Sequence, residues 1–323
     1  MTLPPIQLRF DMRCPDWGAP REALYAAAIE MAAYGDAHGF TAVSLAEHHG
    51  VEDGYCPSSI TLAAAIAART QRIRLNLSAI VVPLHDPLRL AEELAVLDII
   101  SKGRTALVAV GGYVPAEFDM FDRDFATRGR AVEECIQALR AAWTGEPFDF
   151  RGRTVRVTPR PASPHLPIYM GGAKPVAAKR AGRLADGFIT HDPALHRIYV
   201  EEARRLGRSW EPMGPTGPAA VFVTEDPEAT WDRIGRHALH ETESYGKWQN
   251  AQQVTGAYSY AATLEAVKAT GTYSVVTPDE CMAMLRADVS VMFHPLVAGL
   301  DPAVGWESLR LFVEKVLPHV AAG

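Results

Sequence analysis

Only four cysteines occur in 323 residues, Cys14, Cys56, Cys135 and Cys281, and no two of them stand in a C-x-x-C pair. That scatter argues against a zinc knuckle, an iron–sulfur cluster and a thioredoxin-like redox motif, and the four read as reduced thiols. Positive charge is in deficit as well, with 32 Lys and Arg against 38 Asp and Glu and a net charge of −6. Such a balance gives no electrostatic footprint for nucleic acid or an anionic membrane and favours small-molecule partners. No apolar run approaches the length of a membrane span, and the opening residues, with Arg9, Asp11 and Arg13, contain no apolar signal core. The expectation is a cytoplasmic protein. The turn after the first strand, Phe10-Asp-Met-Arg-Cys-Pro15, is not a G-x-G-x-x-G, and there is no P-loop. An open, doubly wound dinucleotide fold normally carries the first of these, so it is disfavoured.

What is present is an ordinary globular composition, 48% hydrophobic and 22% charged, in a chain of a length suited to one large barrel domain spanning 1–323. Short β-branched runs alternate with helical patterns from end to end. Strands are predicted at Ile6–Phe10, Thr41–Ala46, Ile73–Val82, Thr105–Val110, Ile168–Met170, Gly187–Ile189, Ala220–Val223 and Val289–Phe293. Between them, Asp86-Pro87 opens a helix that carries Leu90, Leu94 and Leu97 on one face and stops at Gly103. Ser58 and Ser59 are suitable caps for the Ala-rich helix that follows them, and Thr277-Pro-Asp-Glu280 is a capping box. The fold class is α/β, a (β/α)8 TIM barrel. Residues 249–276 show no clean period and exceed an ordinary connection, which predicts a lid or insertion.

Catalytic groups of such barrels collect at the C-terminal ends of the strands. The second strand ends in Glu47-His48-His49, where an imidazole handles protons near neutral pH and a neighbouring carboxylate orients it. The bland alternative is a loop whose side chains are satisfied by backbone hydrogen bonds, and position alone does not separate the two readings. A metal site is disfavoured, because adjacent residues on a strand point to opposite faces and three of them cannot grip one ion; His294 is a weak hint of a further ligand. The third strand ends in small residues around Ser78-Ala79, the fourth in Val110-Gly111-Gly112, and the fifth in Gly171-Gly172-Ala173-Lys174 running into a helix. Paired glycines allow close backbone approach, and a helix start beside a lysine suits a phosphate, although both are also ordinary connections.

Taken together, Ala46-Glu-His-His49, Ile80-Val-Val-Pro-Leu-His-Asp-Pro87, Leu97-Asp-Ile-Ile-Ser-Lys-Gly-Arg104, Gly171-Gly172 and Asp186-Gly187 resemble, in order and spacing, the bacterial luciferase-like flavin oxidoreductases over nearly the whole chain. The resemblance implies a barrel with a luciferase-type insertion near its C-terminal part, reduced flavin at the mouth, and a homodimer. It implies His48 as catalytic acid/base with Glu47 and His49 in support, and Ser78-Ala79 at the place where the family often has a non-proline cis peptide. Cofactor contacts are implied at Val110, Gly111, Gly112, Gly171, Gly172, Ala173 and Lys174. A phosphate-binding arginine of the family is missing at the first three, and Lys174 is its candidate replacement. Val276 stands where the family has a glycine.

The leading expectation is a two-component monooxygenase that takes FMNH2 from a separate flavin reductase and uses O2 on a small organic substrate. F420-dependent dehydrogenation or reduction on the same barrel is the alternative. A metal-dependent barrel hydrolase and a non-catalytic partner subunit rank below both.

Overall fold

The structure is a computed structural model and describes residues 3–252 and 260–320. Ile6–Phe10 opens it as a strand whose Ile6, Leu8 and Phe10 are buried while Gln7 and Arg9 are half-buried, the period of two expected of a pleated strand. By their contacts the described residues divide into two compact units, one drawn from 1–44, 51–56 and 214–323 and the other from 45–50 and 57–213.

In the first unit the strand order is Tyr273–Val276, Ala220–Val223, Val291–Phe293, Ile6–Phe10 and Ala42–Leu45. The pairings are parallel, with Ile6 opposite Val291 and Tyr273 opposite Ala220. Tyr273–Val276 corrects the sequence reading, which placed no element between 249 and 276. The helix from Pro227 runs on to Gln252, Leu264–Thr270 is a further helical turn, and this four-residue strand pairs with Ala220–Val223. Segments this short give too few repeats for a period to show. The middle of the expected lid, 253–259, lies outside the described residues. The capping box forms, with the Thr277 hydroxyl accepting from the Glu280 amide and the Glu280 carboxylate accepting from the Thr277 amide.

In the second unit four parallel strands follow in chain order, Arg74–Val81, Thr105–Val110, Ile168–Gly171 and Gly187–Ile189. Helices Ser59–Arg69, Pro87–Ser101, Arg128–Ala142, Pro175–Leu184 and Pro193–Arg205 accompany them, and Phe148–Phe150 pairs with Arg153–Val155 as the expected small hairpin. Leu90, Leu94 and Leu97 are buried as their spacing requires, each worth about 1.5–3 kcal/mol relative to exposure. Asp86 caps that helix by accepting from Leu88 and Arg89, and the left-handed Lys102 ends it. Ser58 does not cap its helix with its side chain; the hydroxyl bonds Thr61 instead. Two of the pieces that carried the family resemblance are structural ties. Arg104 donates to the carbonyls of Ala67, Thr70, Ile73 and Ser101, and Asp186 accepts from Arg140 and from the amide of Ile168 at the start of its strand.

Among the described residues no helix is long and apolar enough to cross a membrane. All four cysteines are buried thiols outside any disulfide.

Candidate active site

Glu47, His48 and His49 follow directly on Ala42–Leu45, and the chain sends them two ways. Glu47 and His49, two residues apart, meet His85, which stands just past the short turn Val82–Leu84 at the end of the next strand. The Glu47 Oε1 accepts from the Val81 amide at 3.1 Å and from His85 Nε2 at 2.9 Å, and His49 Nε2 lies 3.4 Å from it. His48 turns the other way. Its Nδ1 is 2.7 Å from Oε1 of Glu117, and the same oxygen accepts the His49 amide at 2.9 Å. Glu117 sits on Pro115–Met120 and is 1% exposed, so this carboxylate is dedicated to the two histidines.

A carboxylate oxygen only accepts, so Nδ1 of His48 carries a proton and Nε2 is its basic nitrogen. That nitrogen lies 3.4 Å from the Tyr113 hydroxyl, with the two rings edge to face. The sequence pattern suggested Glu47 as the carboxylate that orients His48. Glu117 holds that position instead, and Glu47 serves the other face. Glu117, Tyr113 and His85 are the residues that sequence reasoning did not assign. His85 was at least inside a motif of the resemblance, whereas Glu117 stands 69 residues from its partner in a six-residue helix.

Burial alone would raise the Glu47 carboxyl, but the imidazoles of His49, 3.4 Å away, and His85, 2.9 Å away, outweigh it and hold the group at about 2 instead of 4.5. His85, which burial would lower, is kept above 6.5 by the hydrogen bond and charge of Glu47. The depressed carboxyl stabilises the fold above its unfolded value and loses this as pH falls toward its folded one. The raised imidazole stabilises below its unfolded value and loses this as pH rises through its folded one. The pair is therefore most effective between about pH 4.5 and 6.5. His85→Ala is expected to cost roughly 1–3 kcal/mol in that window and less on either side. Thermal melts of both proteins across pH check this, and a deficit independent of pH contradicts it.

The glycine loops come together because Ala109 pairs with Met170, which sets Val110-Gly111-Gly112 beside Gly171-Gly172-Ala173-Lys174. Gly112 has φ +73°, and a Cβ there would lie 2.7 Å from Val81 Cγ1 and 3.0 Å from Phe118. Packing also accounts for Gly172, where a Cβ would fall 2.5 Å from that of Ala177. Gly111 differs, since a Cβ there would rest in ordinary van der Waals contact with Val132 at 3.7 Å and Arg128 at 3.9 Å, so packing does not require a glycine. Lys174 is exposed at the start of the ten-residue helix Pro175–Leu184. The Ser78–Ala79 peptide is cis, at a register shift between Ser78 and Ile80. Gly112→Ala should destabilise the protein by roughly 2–4 kcal/mol, from a strained φ and overpacking together. Denaturant midpoints would show it, and an unchanged midpoint would contradict the account.

The first unit carries its own buried polar group. His294 Nε2 lies 3.2 Å from both Asp11 and Glu241, Arg9 is 3.0 Å from Glu241, and Arg13 meets Asp53 at 2.5 Å. His294, Asp11 and Glu241 bring one ligand atom each within 4.8 Å of the others, a spacing one ion could share, and with two guanidinium ions among three carboxylates His294 belongs to an ion-pair network.

A paired imidazole and carboxylate at the ends of parallel α/β strands, beside two glycine loops, suits an enzyme that moves protons next to a bound cofactor. The chain belongs to the luciferase-like monooxygenase family, whose profile matches residues 13–294. It is 30% identical to an F420-dependent glucose-6-phosphate dehydrogenase of Nakamurella multipartita, covering 100% of this chain and 98% of that protein. Monooxygenase RslO1 from Streptomyces bottropensis superposes with a TM-score of 0.78 at 24% identity, over 98% of this chain and 99% of that one. The oxygenating constituent of 3,6-diketocamphane monooxygenase from Pseudomonas putida, a type II Baeyer–Villiger enzyme in complex with FMN, gives 0.72 at 19% identity over 99% of each chain. The fold is thus the TIM-barrel-like α/β fold of that family, and the protein is an oxidoreductase.

Proposed function

We propose that the protein is the oxygenating component of a two-component monooxygenase, taking reduced FMN from a separate reductase and using O2 on a small apolar substrate. The observation that carries this reading is the buried pair of His48 and Glu117 at 2.7 Å. The residues fit a flavin in two further respects. Gly111 is a half-buried glycine that packing does not require, which suits close approach of a flat ring or its chain to the backbone, and Lys174 and the helix start behind it suit a phosphate.

Reduced flavin, when bound, supplies two electrons to O2, so that one oxygen atom enters the substrate and the other leaves as water. The chain's own part is to hold and shield that chemistry. Glu117 keeps Nδ1 of His48 protonated and its ring fixed, so that Nε2 takes up or returns a proton at the substrate. Tyr113 covers that nitrogen and positions what reaches it. Met120 and Phe121, 62% and 38% exposed, form an apolar rim beside His49, with Phe121 packed edge to face on its ring at 4.8 Å. Such a rim favours an apolar substrate over a sugar phosphate.

The F420 reading keeps the same residues and is favoured by the full-length F420-dependent relative. Reconstitution with NADH, a flavin reductase and O2 against a panel of apolar ketones and aldehydes separates the two. Oxygen-dependent product supports the monooxygenase, whereas turnover only with F420 and a hydride donor overturns it. A chain fed by a reductase would work in the cytoplasm, where reduced nicotinamide is made. Exposed Val96, Ile99 and Ile100 on Pro87–Ser101 are consistent with a homodimer, which sedimentation would test.

A further inference from the structure

We propose that Glu47, His49 and His85 form a binding site for a divalent transition-metal ion of the zinc class. The strand-alternation argument against a metal separates His48 from its neighbours but leaves Glu47 and His49 on one side, and His85 completes a carboxylate and two imidazoles. One ligand atom from each lies within 4.8 Å of the others. The spacings from Glu47 Oε1, 2.9 Å to His85 Nε2 and 3.4 Å to His49 Nε2, are those of atoms sharing one ion. Donors about 2.0–2.1 Å from a four- or six-coordinate metal stand about 3–3.5 Å apart.

His49 Nε2 supplies an independent sign. The side chain is 9% exposed, yet this nitrogen forms no hydrogen bond, its 3.4 Å contact to Glu47 included. A buried imidazole nitrogen aimed at a carboxylate without bonding it is otherwise a cost without return. A cavity of about 370 Å3 reaches Glu47 and His85, and Ser59, whose buried hydroxyl also lacks a partner, lines it. This gives an ion a route in and leaves coordination positions open. Arg89 lines the same cavity but is engaged by Glu92 and Glu93, so it does not neutralise Glu47. The Val81 amide donates to the same oxygen of Glu47 and holds it in place. Two imidazoles with one carboxylate select zinc, iron, cobalt or nickel over calcium or magnesium. The site does not use His48 or Glu117, so it stands apart from the proposed flavin chemistry.

The test is equilibrium dialysis of the full chain against Zn2+, with Co2+ absorption as a second readout. One Zn2+ per chain is expected, with affinity falling by about a hundredfold or more in His49→Asn and in His85→Asn. Circular dichroism confirms that the variants are folded. The eleven histidines offer surface binding as a competing source. Uptake unchanged in the double variant would therefore identify adventitious binding and overturn the proposal. Should the variants not fold, the wild-type Co2+ spectrum decides: intense bands of a four- or five-coordinate nitrogen and oxygen site support it, and the weak spectrum of hydrated Co2+ rejects it.

Discussion

Replacing His48 with alanine is expected to lower turnover by about a hundredfold or more while cofactor affinity stays within a factor of two or so. The ring is 7% exposed, and its Nδ1 is committed to Glu117. The substitution removes the nitrogen that handles the proton and leaves Gly111 and the Lys174 helix start untouched. A loss confined to the chemical step is therefore the signature, with kcat and kcat/KM falling together. Kinetics with reduced FMN and the substrate found by screening, alongside flavin binding, make the comparison. Unchanged turnover would reject the role of His48. Equal losses in binding and turnover would recast the residue as part of the cofactor site.

Glu117→Gln is the second large effect, with an expected fall in kcat of about ten- to a hundredfold and little change in KM. Glutamine is close in shape, and its oxygen can still accept the His49 amide that Glu117 holds at 2.9 Å. The same oxygen can accept from Nδ1 of His48, so what is lost is the negative charge of the acceptor opposite the imidazole that takes up a proton at Nε2. Glu117→Ala should cost more, because it also leaves the His49 amide without its acceptor. The ratio of kcat to KM effects separates this positioning role from a structural one. A merely structural Glu117 would give variants with altered melting and a near-normal kcat in the folded fraction.

Much of the architecture was legible in the sequence for reasons that can be named. Thr105–Val110 and Ala220–Val223 are apolar runs of strand length, and Asp86-Pro87 and Thr277–Glu280 are helix starts with their caps in place. Tyr273–Val276 escaped because four residues carry no period, and Pro115–Met120 because six residues make less than two turns. The site was half legible. A histidine cluster at a strand end could be seen, but the partner of each histidine was decided by chain separated from it by tens of residues. Adjacency suggested that Glu47 serves His48, and adjacency is misleading where neighbouring side chains leave the backbone on opposite sides. The glycine pairs show the reverse. Gly112 and Gly172 suggested a cofactor, yet Val81 and Ala177 already exclude any side chain there, which leaves Gly111 as the position where packing does not require a glycine.

Anaerobic equilibrium titration of the wild type and of His48→Ala with reduced FMN and, separately, with F420 tests the central claim most directly, that His48 serves a reduced flavin. The account predicts saturable binding of one reduced FMN per chain with similar affinity in both proteins, and oxygen-dependent product only from the wild type. Binding of F420 with none of FMN, or full oxygenating turnover by His48→Ala, would contradict it.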